Sequence, residues 1–136
     1  YPPAGLSTGE TVSEKPREDI LIAAVETNMA RYVTAEFEPK MQEVKDLIAS
    51  EGKNPQLLNR LGLLYVRAGM YESAISVYTE SAELGSVSAM NNLGNIASVR
   101  RDYAEAKRWY QRALSLEPEN ATAKKGLNRV LGLLED

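Results

Sequence analysis

The chain of 136 residues contains no cysteine and no histidine, and a single tryptophan. Without cysteine there is no disulfide, no thiolate nucleophile and no zinc–thiolate centre. Without histidine the commonest general base and the commonest transition-metal ligand are missing, so only carboxylate or hydroxyl chemistry remains open. No apolar run approaches the roughly 18–20 residues that span a bilayer, and residues 1–16 lack the apolar centre of a signal peptide, so no membrane insertion is expected of this segment. Net charge is −3 and the isoelectric point is near 5.1, which argues against nucleic acid as the partner, because phosphate binders carry a strongly basic face. The charge is uneven: residues 1–54 carry −4, residues 55–98 carry −1 and residues 99–136 carry +2. The chain begins with Tyr1, as a segment of a longer protein would. These absences predict a non-enzymatic domain with no catalytic residues, no cofactor and no metal.

What is present is helical. With 43% hydrophobic residues the chain can bury a continuous core. Residues 1–17 mix Pro, Gly, Ser, Thr and charge without an apolar period, and read as a flexible linker. Residues 19–33 are rich in helix formers, with Ile20, Ala24, Met29 and Tyr32 sharing part of one face. A second helix is expected from the region of Phe37–Pro39, through Met41, Val44 and Ile48, to a stop at Gly52. Asn54–Pro55 then joins an N-cap residue to a proline at the first helical position, a strong start signal.

Beyond that point the sequence repeats. Asn59, Leu61, Gly62, Tyr71, Ala74, Tyr78 and Leu84 return 32 residues later as Asn91, Leu93, Gly94, Tyr103, Ala106, Tyr110 and Leu116. A fixed period of this size marks stacked units, none of which buries its apolar face alone. Small residues placed as Gly62 with Ala74 and Gly94 with Ala106 would let two antiparallel helices approach closely. Leu58-x2-Leu61-Gly62-x2-Tyr65, then Ala74-x3-Tyr78, resembles the tetratricopeptide repeat, whose unit of roughly 34 residues runs Trp-x2-Leu-Gly-x2-Tyr, Ala-x3-Phe, Pro. Met90-x2-Leu93-Gly94-x2-Ala97, Ala106-x3-Tyr110 and Pro118 form the second copy. The departures are Leu58 and Met90 for Trp, Ala97 for Tyr, Tyr for Phe, and Ser86 for the first Pro; the junction 82–94 is locally similar to Sel1-like repeats.

The resemblance implies an all-α fold of stacked antiparallel helical hairpins, a TPR-like α-solenoid with a C-terminal capping helix. The expected divisions are a linker over 1–17, an N-terminal hairpin over 18–53 as a degenerate repeat with Lys40 near the place of a small residue, repeats over 54–86 and 87–119, and a capping helix over 120–136. Asn120 is expected to cap that last helix, with Ala123, Leu127, Val130, Leu131 and Leu134 as its apolar stripe. Asp102 is expected to cap the helix before it.

Isolated motifs carry little. Ser50-x-x-Lys53 lacks the companion motifs that give it catalytic meaning and reads as a helix end. Asn120-Ala-Thr122 is a glycosylation sequon that reads better as a cap. Arg100, Arg101, Lys107, Arg108 and Arg112 with Trp109 and Tyr110 form a basic–aromatic strip, but Tyr110 is committed to the repeat core and Asp102 and Glu105 dilute the charge, so the simpler reading is a solvated helix face. Glu72, Glu80 and Glu83 likewise read as solvent-facing.

In the resembled family binding concentrates on the concave face formed by the first helix of each hairpin. That analogy assigns the groove Gln56, Asn59, Leu63, Val66 and Arg67 from one copy, Ser88, Asn91, Asn92, Asn95 and Ser98 from the next, and Lys125 and Arg129 beyond. Asparagine suits such a groove because its amide both donates and accepts to a peptide backbone. The Lys and Asn set with which some relatives clamp a chaperone's C-terminal carboxylate is not reproduced: Asn59 and Leu63 occupy the first two places and Gly126 a basic one. The expected function is a protein-interaction scaffold binding a protein or peptide partner. Self-association into a homo-oligomer, or service as an accessory domain of a larger enzyme, are the alternatives.

Overall fold

A computed structural model describes Arg31 and residues 35–135. The expected linker over 1–17 and most of the expected helix over 19–33 lie outside the described residues. The chain divides into two compact units, Tyr1–Pro39 and Lys40–Asp136, and the helices that follow belong to the second, save for the first two residues of α1. They are α1 (Glu38–Glu51), α2 (Pro55–Arg67), α3 (Tyr71–Glu83), α4 (Val87–Val99), α5 (Tyr103–Leu116) and α6 (Ala121–Glu135), with no strand among the described residues.

Local chemistry sets the helix ends. Pro55 opens α2 with the Asn54 side chain accepting from the Leu57 amide at 2.9 Å. Ser86, Asp102 and Asn120 do the same for α4, α5 and α6, accepting from Ala89, Glu105 and Ala123 at 3.1, 3.2 and 3.0 Å. Each such cap satisfies one of the orphan amides of a first turn and contributes about 1 kcal/mol. The expected caps at Asn54, Asp102 and Asn120 are therefore present. Gly69 ends α2 at φ 76°, whereas the equivalent residue after α4 is Arg101 at φ 65°. A side chain in that left-handed region costs roughly 1 kcal/mol that glycine does not incur.

Consecutive helices pack in sequence, α2 on α3, α3 on α4, α4 on α5 and α5 on α6, while α2 also meets α4 and α4 meets α6. The first helices α2, α4 and α6 thus share one face of the stack, and α3 and α5 belong to the other. This is the all-α solenoid of antiparallel hairpins expected from the repeat. Leu58 and Met90, which stand at the tryptophan position, are each 1% exposed, and burying side chains of this size stabilises by about 1.5–3 kcal/mol apiece.

The helix crossings differ in detail from the expectation that Gly62 faces Ala74 and Gly94 faces Ala106. All four residues are buried, but each glycine packs against a tyrosine ring. A Cβ on Gly62 would lie 2.6 Å from the ring of Tyr78, and one on Gly94 would lie 2.6 Å from that of Tyr110. Gly126 of α6 closes on Tyr110 as well, with a hypothetical Cβ 2.4 Å from its Cζ. The ring fits only because both flanking helices lack a side chain there. Burial raises the Tyr78 phenol above its ordinary pKa, which keeps it neutral across the physiological range. The apolar stripe of α6 is also shifted: Ala123, Gly126 and Val130 are buried, Leu127 and Leu131 are half-buried, and Leu134 is 44% exposed.

The two glycines of α6 make opposite predictions. Gly132 has open space where its Cβ would go, so Gly132→Ala should stabilise by about 0.5–1 kcal/mol through the unfolded chain. Gly126→Ala should destabilise by about 1–3 kcal/mol because the ring of Tyr110 cannot retreat. Thermal or denaturant midpoints of the two variants moving the same way would refute this packing.

Ser81 yields a second test. It is fully buried in α3 and its hydroxyl has no hydrogen-bond partner, while the second copy carries the equally buried Ala113 at the same place. Removing an unsatisfied hydroxyl avoids a desolvation cost of about 1 kcal/mol or more. Ser81→Ala should raise the urea midpoint, and a fall would mean that Oγ has a partner in solution.

Candidate functional site

Side chains on α2, α4 and α6 divide by burial into those that hold the stack and those left open. Asn59 is half-buried and donates from Nδ2 to Ser86 Oγ at 3.0 Å. Asn91 is only 7% exposed and donates from Nδ2 to Asn120 Oδ1 at 3.0 Å. The acceptors are the N-caps of α4 and α6, so each repeat fixes the cap of the next through the same asparagine. The geometry assigns the amides without ambiguity at Asn91: Asn120 Oδ1 already accepts from the Ala123 amide, so a nitrogen must face it. These two asparagines thus have structural partners in the folded chain, contrary to the simple picture of amides waiting for a peptide.

The other expected groove residues remain accessible. Gln56, Arg67, Ser88, Asn95, Lys125 and Arg129 are exposed, Val66, Asn92 and Ser98 are half-buried, and Leu63 is 43% exposed. Of these, the structure gathers Asn95, Ser98 and Arg129 into one open groove of about 550 Å³, completed by Val99, Tyr103 and Leu133. Gln56, Leu63, Val66 and Arg67 lie on α2, and Ser88 and Lys125 lie near the starts of α4 and α6; none of them lines this groove.

The groove is rich in donors. Tyr110 Oη donates to Asn95 Oδ1 at 2.5 Å, leaving the Asn95 amide nitrogen uncommitted. Arg129 reaches Tyr110 Oη only at 3.4 Å, a long contact that leaves most of its guanidinium donors open. The Ser98 hydroxyl is buried and has no partner. No carboxylate lines the groove, while Val99 at 75% exposure and Leu133 at 41% supply an apolar side. Val99, Tyr103 and Leu133 were not among the residues expected from sequence. Val99 follows Asn95 by one helical turn, so extending the period of the α4 face past Ser98 would have reached it.

Two tetratricopeptide-repeat family models match this chain, over residues 57–85 and 87–120. These two stretches are tetratricopeptide repeats. Solved TPR domains share its fold. The first TPR of Spaghetti (RPAP3), bound to the HSP90 peptide SRMEEVD, matches with a TM-score of 0.66 and 20% identity over 84% of this chain and 93% of that one. The Sgt2 TPR domain from Aspergillus fumigatus gives 0.65 and 22% over 88% and 80%. The second TPR domain of human RPAP3, in complex with the HSP70 peptide SGPTIEEVD, gives 0.61 and 22% over 77% and 90%. No curated protein matches this chain. Among the described residues of this TPR stack no helix is long and apolar enough to cross a membrane, and no His, Cys, Asp and Glu cluster could hold a metal ion.

The cap relay is testable by a double-mutant cycle. Asn91→Ala and Asn120→Ala should show a coupling energy of about 0.5–1.5 kcal/mol, the worth of one partly buried hydrogen bond. Asn92→Ala, whose amide makes no such bond, should change stability by less than about 0.5 kcal/mol. Zero coupling between Asn91 and Asn120 would show that the relay contributes nothing.

Proposed function

We propose that this TPR stack is a protein-interaction module that holds an extended peptide in the groove between α4 and α6. The observation that carries this reading is the composition of the groove: uncommitted donors at Asn95 and Arg129, apolar surface at Val99 and Leu133, and no carboxylate. Such a lining favours a ligand that brings acceptors, either main-chain carbonyls or acidic side chains, together with a small apolar side chain. A pre-formed groove of this kind binds without the ordering cost that a flexible surface would incur. Gln56, Leu63, Val66 and Arg67 on α2, with Asn92, Ser88 and Lys125, would extend contacts along the same face. Asn59 and Asn91 would act through the caps they hold and not by touching the peptide.

The fold neighbours support the class of ligand. Both RPAP3 domains were solved with peptides that end in Glu-Glu-Val-Asp, which combine carboxylates with one apolar residue. This chain has Asn59 and Leu63 where the resemblance calls for Lys and Asn, so its preferred peptide should differ from theirs.

Selection from a random peptide library displayed with free C-termini tests the proposal. Peptides recovered on the native chain should bind Arg129→Glu at least tenfold more weakly, as loss of a charged hydrogen bond and introduction of repulsion imply. The melting midpoint should stay within error, because Arg129 is exposed and its contact to Tyr110 is long. Equal affinity for native chain and variant would rule out the groove.

A further inference from the structure

α2 and α4 are each covered by a second helix, α3 and α5, whereas α6 packs only on α4 and α5 among the described helices. Counting from the N-caps Asn54, Ser86 and Asn120 shows which side of α6 is left bare. The residues seven and eleven places after the cap are Leu61 and Tyr65 in α2 and Leu93 and Ala97 in α4, all buried, but Leu127 and Leu131 in α6, both half-buried. The residues four and eight places after it are Leu58 with Gly62 and Met90 with Gly94, and these glycines meet the rings of Tyr78 and Tyr110 from the second helices. In α6 those two places hold Lys124 and Asn128, both exposed. Asn128 brings a side chain where the ring of a second helix would enter, so α6 is not built to receive a further helix of the repeat kind. Leu127, Leu131 and the exposed Leu134 nevertheless form one continuous row, at i, i+4 and i+7.

The charges beside this row run against the helix that carries them. Acidic groups in a first turn and basic groups in a last turn stabilise a helix, and α6 has neither: Lys124 stands in its first turn and Glu135 in its last. Lys124, Asn128 and Glu135 share one flank of the leucine row, at i, i+4 and i+11. Lys124 meets Glu119 at 2.7 Å, an exposed pair that stabilises little and can exchange, while Glu135 has no ion-pair partner among the described residues. Along the helix axis Lys124 and Glu135 lie at nearly equal distances, in opposite directions, from the midpoint between Leu127 and Leu131. That pattern is self-complementary. A second α6, turned by a twofold axis through the midpoint, runs antiparallel to the first, sets its Leu131 on Leu127 and its Glu135 beside Lys124, and repeats both contacts in reverse.

We propose that α6 is a dimerisation helix: two copies of this chain associate through antiparallel α6 helices, with Leu127, Leu131 and Leu134 of each forming the seam and Lys124 pairing with the partner subunit's Glu135. An isologous contact uses one patch twice, so each charge pair, favourable or not, occurs twice. It also sets Lys124 at the carbonyl end of the partner helix, where the macrodipole favours a cation. One pair of 15-residue helices buries less than the roughly 1,200 Å² of the smallest standard interfaces, so the dimer is weak, with a dissociation constant of roughly 10–100 µM. Arg129 is two residues from both Leu127 and Leu131 and so points to the other side of the helix, which leaves the proposed peptide groove open in the dimer.

Sedimentation equilibrium of the full chain from about 5 µM to about 1 mM brackets such a dimer, and the average mass should rise from 15.0 kDa toward twice that value. Lys124→Glu and Glu135→Lys each place two like-charge pairs in the contact and should weaken self-association at least tenfold, as such juxtaposition implies. Lys125→Glu, the same charge change at an exposed position off the leucine row, should leave it within about twofold. An equimolar mixture of the Lys124→Glu and Glu135→Lys chains should associate comparably to the native chain, because both of its charge pairs are then opposite in sign. Pairing of two antiparallel α6 helices predicts that rescue, and a contact elsewhere on the chain does not. Leu131→Lys should abolish association with helical content retained, and the mixture decides the matter if that variant does not fold. The proposal is overturned by a native chain that stays monomeric at 1 mM, which would leave the face to a helix of another protein, by association that survives Lys124→Glu and Leu131→Lys, by equal loss in Lys125→Glu, or by a mixture that fails to associate.

Discussion

A tyrosine ring and a Cβ cannot occupy the same space, and the spacing of this stack follows from that exclusion. Tyr110 projects from α5 into a slot walled by Gly94 of α4 and Gly126 of α6, and it is fully buried there. One ring thus sets the approach of three helices. Tyr78 against Gly62 does the same for α2 and α3. The constraint reaches the proposed groove as well, because the buried Tyr110 hydroxyl engages Asn95 from beneath and lies within reach of Arg129. Core and groove share a residue, and a family pattern with Phe at this position would supply the ring but not the hydroxyl. The replacement of Phe by Tyr therefore positions a groove side chain from inside the core.

Register between neighbouring hairpins has a separate origin. Asn59 to Ser86 and Asn91 to Asn120 are long-range bonds of the same type, each joining the middle of a first helix to the cap of the next. Ser86 and Asn120 serve two donors at once, the amide of their own first turn and the asparagine of the preceding repeat. A hairpin whose cap is held this way cannot slide along its neighbour without breaking both bonds. Asn95, Ser98 and Arg129, which line the proposed peptide groove, are consequently placed on a rigid support.

Much of the architecture was legible in the sequence because its signals are local. The 32-residue repeat, the Asn54–Pro55 start, the cap residues Asp102 and Asn120, and Gly52 as a stop each act through their own few neighbours. What the sequence could not convey was which buried residue meets which. Gly62 and Ala74 are both small and both buried, so pairing them was reasonable, but the partner is a ring four residues further along α3. Gly126 was read as the absence of a basic groove residue, whereas it is the second wall of the Tyr110 slot. Periodicity also placed Asn59, Asn91, Asn92 and Asn95 together as groove amides. Only coordinates separate the two whose nitrogens meet an N-cap from the two left open, since the acceptors lie more than twenty residues away along the chain.

The departures from the repeat are more informative than the matches. Where the copies agree, at Gly62 and Gly94 or Ala74 and Ala106, packing alone accounts for the residue. Where they differ, the cost falls on either copy: Tyr65 fills a space that Ala97 leaves open and Gly69 relaxes a turn that Arg101 strains, whereas Ala113 avoids the unsatisfied hydroxyl of Ser81. Two of these costs, at Ala97 and Arg101, fall in the second copy, four residues apart. A repeat released from function would drift toward whichever residue its neighbours best accommodate, since stability is the only constraint left on it. Ala97 and Arg101, at the end of α4, are thus where the second copy departs furthest from what packing alone would select.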